Sequence, residues 1–208
     1  MAQSGQGKKI GLLGGSFNPA HSGHVYISQK ALELLGLDEV WWLVSPQNPL
    51  KETSGMAPFK ERFAKATELA SSCKGILVSD FEYNLVHSKK PNPTALLYGE
   101  SVAYTYNTLL AIKAAYSDNN FVWIMGADNM LQFPKWYKWR EIMQLIPIAV
   151  FNRGAIEEKT ALSGEFAKEF SVNKLNNPME LASRKTPAWV FLDIEPNPIS
   201  STQLRGEP

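Results

Sequence analysis

The sequence predicts an α/β protein, a parallel sheet covered by helices on both faces. Two observations carry this. Short apolar runs alternate along the chain with segments of helical periodicity, the order that builds strand–helix–strand units. The first apolar run also ends at Gly14-Gly15 and passes through a short turn into a helix start. Composition agrees: a hydrophobic fraction of 44% with 20% charged residues is that of an ordinary globular chain, which excludes wholesale disorder.

Residues 1–7 read as a disordered lead-in, and residues 1–208 as a single domain. Residues 9–13 form the first strand. Residues 22–35 place Val25, Ile27, Ala31, Leu32, Leu34 and Leu35 at helical spacing, with Gly36 as C-cap. Residues 40–44 form a second strand stopped by Pro46, and 45–58 a polar, proline-bearing loop. A helix over 59–73 presents Phe63, Ala66, Leu69 and Ala70 on one face. A third strand covers 76–81. Pro91, Pro93 and Gly99 make 84–101 a long loop. A helix follows over 104–116, a strand over 121–125, helical residues over 129–146 broken at Pro134, and a strand over 148–151. Residues 152–185 are polar and only weakly helical. Residues 188–194 form the sixth strand, and serines and a threonine open a helix over 199–205. In such sheets ligands bind at the carboxyl ends of the strands.

The charge balance narrows the function classes. With 21 Lys+Arg against 20 Asp+Glu the chain is nearly neutral, which argues against a polyanion-coating protein and a nucleic-acid partner. One cysteine, Cys73, excludes a disulfide within the chain and a multi-thiolate zinc site. No apolar run approaches the roughly 20 residues that a bilayer requires, so no membrane partner is expected. The polar, basic start lacks a signal-like apolar segment, and a cytoplasmic protein is the expectation.

The most informative segment is Gly14-Gly15-Ser16-Phe17-Asn18-Pro19-Ala20-His21-Ser22-Gly23-His24. Glycines let a backbone approach an anion closely, and a helix start offers unpaired N–H groups and partial positive charge. His21 and His24 lie three apart on one side of the first turn and suit hydrogen bonding to phosphate. Metal ligation by this pair lacks a completing Cys, Asp or Glu nearby. A second segment, Ile199-Ser200-Ser201-Thr202-Gln203-Leu204-Arg205, offers another capped helix start with an arginine one turn on.

Together these segments resemble the nucleotidyltransferases of the His-x-Gly-His type. Tyr104-Thr105-Tyr106-Asn107-Thr108-Leu109, Ile124-Met125-Gly126-Ala127-Asp128, the Trp136–Trp139 region, Asn152-Arg153-Gly154 and Asn48-Pro49-Leu50-Lys51 resemble further motifs of bacterial nicotinate-mononucleotide adenylyltransferases, in that family's order. The resemblance implies a Rossmann-like doubly wound sheet. It also implies adenylyl transfer from ATP to nicotinate mononucleotide, giving nicotinate adenine dinucleotide and pyrophosphate. By the same resemblance His21 and His24 are catalytic. Gly14, Ser16, Phe17, Lys51, Ser201, Thr202 and Arg205 bind ATP. Tyr104, Thr105, Asp128, Trp136 and Arg153 bind the mononucleotide. Mg²⁺ is expected to arrive on the triphosphate, with no dedicated protein ligands. Assembly into a homo-oligomer stays open.

The sequence departs from the family pattern at Asn107, where Asp is usual, at Leu50, where His is frequent, and at Gly154, which follows Arg153 without Pro. The family also typically continues beyond the final arginine. The competing readings are an adenylyltransferase for nicotinamide mononucleotide or for another phosphate such as phosphopantetheine, an aminoacyl-tRNA synthetase fragment, and a non-catalytic nucleotide-binding regulator. The synthetase reading calls for a Lys-Met-Ser-Lys-Ser loop, which the chain lacks.

Overall fold

The computed structural model describes residues 7–46, 55–87, 104–154 and 156–196. Its first strand, β1 (Lys9–Gly15), continues two residues beyond the predicted run and includes both glycines. Helix α1 (Ser22–Leu34) ends one residue before the expected bound, with Leu35 as C-cap and Gly36 just beyond it in the left-handed region at φ +58°. Strand β2 (Glu39–Val44), helix α2 (Phe59–Ser71) and strand β3 (Ile76–Ser79) follow.

Here the sequence expectation is corrected. Residues 76–81 are not one strand: the Ser79 hydroxyl accepts the Phe81 N–H at 3.2 Å, and a helix, α3 (Phe81–His87), begins there. Residues 84–87, expected in a loop, belong to that helix. The remainder of the predicted loop lies outside the described residues, as do 1–6 of the lead-in and the predicted helix over 199–205.

The chain continues with α4 (Thr105–Ala115), β4 (Asn120–Gly126), α5 (Ala127–Gln132), a 3₁₀ turn over Phe133–Lys135 at the expected proline break, α6 (Trp139–Leu145) and β5 (Ile148–Asn152). The polar stretch that follows contains two short helices, α7 (Glu158–Leu162) and α8 (Glu165–Glu169). They are anchored by Phe166 and Phe170, whose carbonyl accepts the Trp189 indole N–H at 2.7 Å. Strand β6 (Trp189–Asp193) closes the sheet.

All neighbours pair in parallel, in the order β3-β2-β1-β4-β5-β6. The winding reverses between β1 and β4, as a doubly wound sheet requires. Alternation along the strands splits the core in two. Ile10, Leu12, Trp123, Met125 and Val150 face α4, α5 and α6. Leu13, Val122, Ile124 and Phe151 face α1 and α2. Among the described residues no helix is long and apolar enough to cross a membrane.

Candidate active site

The turn from β1 into α1 opens at the reversal point. Phe17 takes the left-handed conformation (φ 46°), unusual for a residue with a side chain. It is buried, its ring stacked on Trp42 at 5.1 Å and 4.6 Å from the His24 ring. Asn18 ties the turn to the chain entering α2: its side-chain amide donates to the Gly55 carbonyl at 3.1 Å and accepts the Ala57 N–H at 3.2 Å.

His21 and His24 cap α1 reciprocally. His21 is the N-cap, and its Nδ1 accepts the Gly23 N–H at 3.1 Å. His24 Nδ1 accepts the His21 N–H at 3.2 Å. With both Nδ1 atoms acting as acceptors, the single proton of each neutral ring sits on Nε2. The rings lie 3.9 Å apart between centroids. Burial, then the Arg153 charge, lowers the His21 pKa to about 4. Burial, then His21 and Arg153, lowers that of His24 to about 3. At neutral pH the pair is therefore uncharged and presents two Nε2–H donors.

Gly23 explains the glycine between the histidines. A Cβ there would lie 2.8 Å from Arg153 Nη1 and 2.8 Å from His21 Nδ1. Arg153 thus comes from the end of β5, two strands away, to the start of α1. Its turn is clamped by buried Asn152, whose amide donates to Ile156 O at 2.8 Å and Asp193 Oδ1 at 2.9 Å. Gly154, at φ +79°, lies against Pro196.

Gly14 acquires a different reason from the one its motif suggests. A Cβ on it would meet Trp123 Cη2 at 2.4 Å, so its smallness makes room for the indole on β4. Trp123 also packs edge-on to Trp136, at 6.3 Å, which links the histidine turn to the other group of predicted residues. Trp136 is half-buried against Phe133 at 5.3 Å. Tyr104, the N-cap of α4, has no side-chain capping bond, and its ring lies 4.7 Å from that of Tyr137. Thr105 is the first residue of α4. Asp128 sits exposed in the first turn of α5, where a Cβ on Gly126 would meet its carboxylate at 2.3 Å. Lys51, Ser201, Thr202 and Arg205 lie outside the described residues.

Two buried charged residues escaped the sequence reading. Arg62 is 2% exposed, and Glu82 is 5% exposed. Burial pushes the Glu82 carboxyl up to about 7, with the neighbouring Thr108 and Ser45 opposing the shift. The signal for Arg62 was its place four residues before Ala66 and eight before Ala70, on the buried stripe of α2. No comparable pattern marks Glu82. Among the described residues, no group of three or more His, Cys, Asp or Glu gathers to hold a metal ion.

A doubly wound sheet with backbone N–H groups, two imidazoles and an arginine at its switch point defines a protein built to handle phosphate-bearing ligands. The comparisons narrow that class. The profile of the cytidylyltransferase-like family matches residues 12–207. A probable nicotinate-nucleotide adenylyltransferase of Parvibaculum lavamentivorans is 41% identical over 201 residues, covering 96% of this chain and 92% of its own. One of Agrobacterium fabrum is 40% identical over 199 residues, covering 95% and 97%. Among solved structures, the Plasmodium falciparum nicotinic acid mononucleotide adenylyltransferase complexed with NaAD superposes with a TM-score of 0.67 over 96% of this chain and 83% of that one. At 19% identity that likeness speaks for the fold alone. The chain belongs to the cytidylyltransferase-like family and, within it, to the nicotinate-nucleotide adenylyltransferases.

Proposed function

We infer that the protein transfers the adenylyl group of ATP to nicotinate mononucleotide, forming nicotinate adenine dinucleotide and pyrophosphate. An oxygen of the mononucleotide phosphate attacks the α-phosphorus of ATP. The new O–P bond forms as the bond to the bridging oxygen breaks, and that electron pair leaves with pyrophosphate. The attacking oxygen is already anionic, so no general base is needed. What must be supplied is alignment of two repelling polyanions and stabilisation of charge in the transition state.

The observation that carries this reading is the reciprocal capping of His21 and His24. It fixes two neutral rings with their Nε2–H donors available to phosphate. Arg153 Nη1, beside Gly23, supplies the neighbouring positive charge. In this reading Gly14, Ser16 and Phe17 line the ATP side of the turn. Trp136 stacks on the pyridine ring. The uncapped start of α4 at Tyr104 and Thr105 receives the nicotinate carboxylate, and Asp128 helps hold the mononucleotide. Lys51, Ser201, Thr202 and Arg205 are assigned to the triphosphate from the motif match. Mg²⁺ carried on the triphosphate would neutralise part of its charge.

The test is pyrophosphate release with ATP and either nicotinate or nicotinamide mononucleotide, in parallel. The acid is expected to turn over with the higher kcat/KM. Equal values would overturn the carboxylate assignment at α4, and no release with either would overturn the reaction.

A further inference from the structure

Arg62 is a buried cation held by backbone carbonyls. Its guanidinium gathers four backbone carbonyls from the loops after β1 and β2 and from the approach to α2. Nε donates to Ala57 O at 2.9 Å, Nη1 to Ser45 O at 2.9 Å and to Ser16 O, and Nη2 to Pro46 O at 3.0 Å. Among the described residues no carboxylate pairs with it. Burial lowers its pKa, and no neighbouring charge offsets that shift. A carboxylate would cancel the field of this charge; carbonyls leave it in place.

The Ser16 carbonyl belongs to the peptide that joins Ser16 to Phe17. That peptide is trans, so its N–H points opposite to its C=O. With the carbonyl held by Arg62, the Phe17 N–H points away from the guanidinium. Among the described residues that N–H has no hydrogen-bond partner, although Phe17 is only 1% exposed. Its left-handed φ, the ring contact with His24 and the bond from Arg62 hold one short segment from three directions.

We propose that Arg62 is a positioning residue for the phosphate-binding turn: it holds the Ser16–Phe17 peptide with the unpaired Phe17 N–H free for an anion, and places an uncancelled positive charge behind it. This rests on the reading that the turn receives ATP. Arg62 touches no substrate and acts through the peptide it holds. Structural support alone would lower stability and the fraction of active enzyme. It would not single out one substrate.

The test measures ATP and nicotinate mononucleotide binding separately, by calorimetry, on wild type, Arg62→Gln and Arg62→Lys. Circular dichroism establishes that each variant is folded. The expected result is an ATP Kd raised about tenfold or more in Arg62→Gln, the loss of hydrogen bonds made by a charged group. The mononucleotide Kd should stay within about twofold. Arg62→Lys, which keeps the charge but cannot span four carbonyls, should fall between and provides the comparison if Arg62→Gln does not fold. Unchanged ATP affinity in the folded variants, or equal losses for both ligands, would overturn the proposal. Failure of the assigned reaction would appear instead in wild type, as ATP binding without pyrophosphate release on adding the mononucleotide.

Discussion

Alanine at Gly23 separates what the helix start needs for folding from what it needs for chemistry. The new Cβ would stand 2.8 Å from Arg153 Nη1, 2.8 Å from His21 Nδ1 and 2.9 Å from His21 Cε1. Contacts this short are not tolerated, so a neighbour must move. The Arg153 guanidinium, at the end of a flexible chain, can swing aside. The His21 ring can move only by lengthening its 3.1 Å bond from the Gly23 N–H. Losing that cap costs about 1 kcal/mol. Replacing glycine by alanine within a helix returns about 0.8–1 kcal/mol. The two nearly cancel, so the melting temperature should move by no more than about 4 °C. Chemistry has no such compensation: displacing one oriented donor or the Arg153 charge from the phosphate site should lower kcat about 10²-fold. Pyrophosphate release at saturating substrates, with thermal melts on the same preparations, checks both. A kcat within about threefold of wild type would refute the argument that the Gly23 gap sets the catalytic geometry.

Three further perturbations probe other parts of the structure. Gly14→Ala drives a methyl into Trp123 Cη2 at 2.4 Å and should destabilise by about 1–3 kcal/mol in denaturant titration; unchanged stability would show that the indole relocates freely. Glu82→Gln should change stability with the opposite pH sense to an ordinary carboxylate. The folded pKa of Glu82 is raised from 4.5 to about 7, so its contribution is complete below pH 4.5 and is lost as pH rises through 7. The variant should match wild type at pH 4.5 and gain up to about 3 kcal/mol at pH 8, whereas an equal effect at both pH values would contradict the burial argument. Trp136→Ala should raise KM for the mononucleotide about tenfold with little change for ATP, since aromatic stacking on a base is worth about 1–3 kcal/mol; equal changes in both constants would assign Trp136 to packing.

The turn from β1 into α1 was legible in the sequence because the requirements there are local. A helix start, a capping residue and its partner three positions on all lie in one stretch of chain, from Gly14 to His24. The strands were legible for a similar reason: buried on both faces, β1, β4 and β5 read as continuous apolar runs. Helix α3 was missed because Phe81 extends the apolar run of β3, while the Ser79 side-chain bond to the Phe81 N–H and the backbone bond from Asn84 N–H to Asp80 O start a helix there. Arg62 was missed because its partners Ser16 and Ser45 lie 46 and 17 residues away, and a carbonyl carries no sequence signature. Gly14 taught a subtler point. The motif suggested room for an anion, yet the atom that excludes a side chain there belongs to Trp123, from a strand adjacent only in the folded sheet.

The protonation state of the histidine pair is where local sequence and distant packing meet, and it yields the sharpest expectation. Two imidazoles at a proposed phosphate site suggest cations, and near pH 6.5 an isolated histidine would be half charged. The structure argues otherwise. Burial and Arg153 together favour neutrality, and the two Nδ1 atoms are already committed as acceptors to backbone N–H groups. Protonating either ring would place a proton on Nδ1, forfeit a capping bond and add a second cation next to Arg153. In the free protein both rings should therefore show the Nε2–H tautomer in ¹⁵N-resolved spectra at pH 7. Their resonances should stay flat on acidification until the approach to about pH 4 for His21 and about pH 3 for His24. Pyrophosphate should move both titrations upward, because an anion facing the Nε2–H groups favours the charged form. An Nδ1–H tautomer, or a midpoint near 6.5 for both rings without ligand, would mean that the caps do not hold the imidazoles, and the donor role built on them would fall with it.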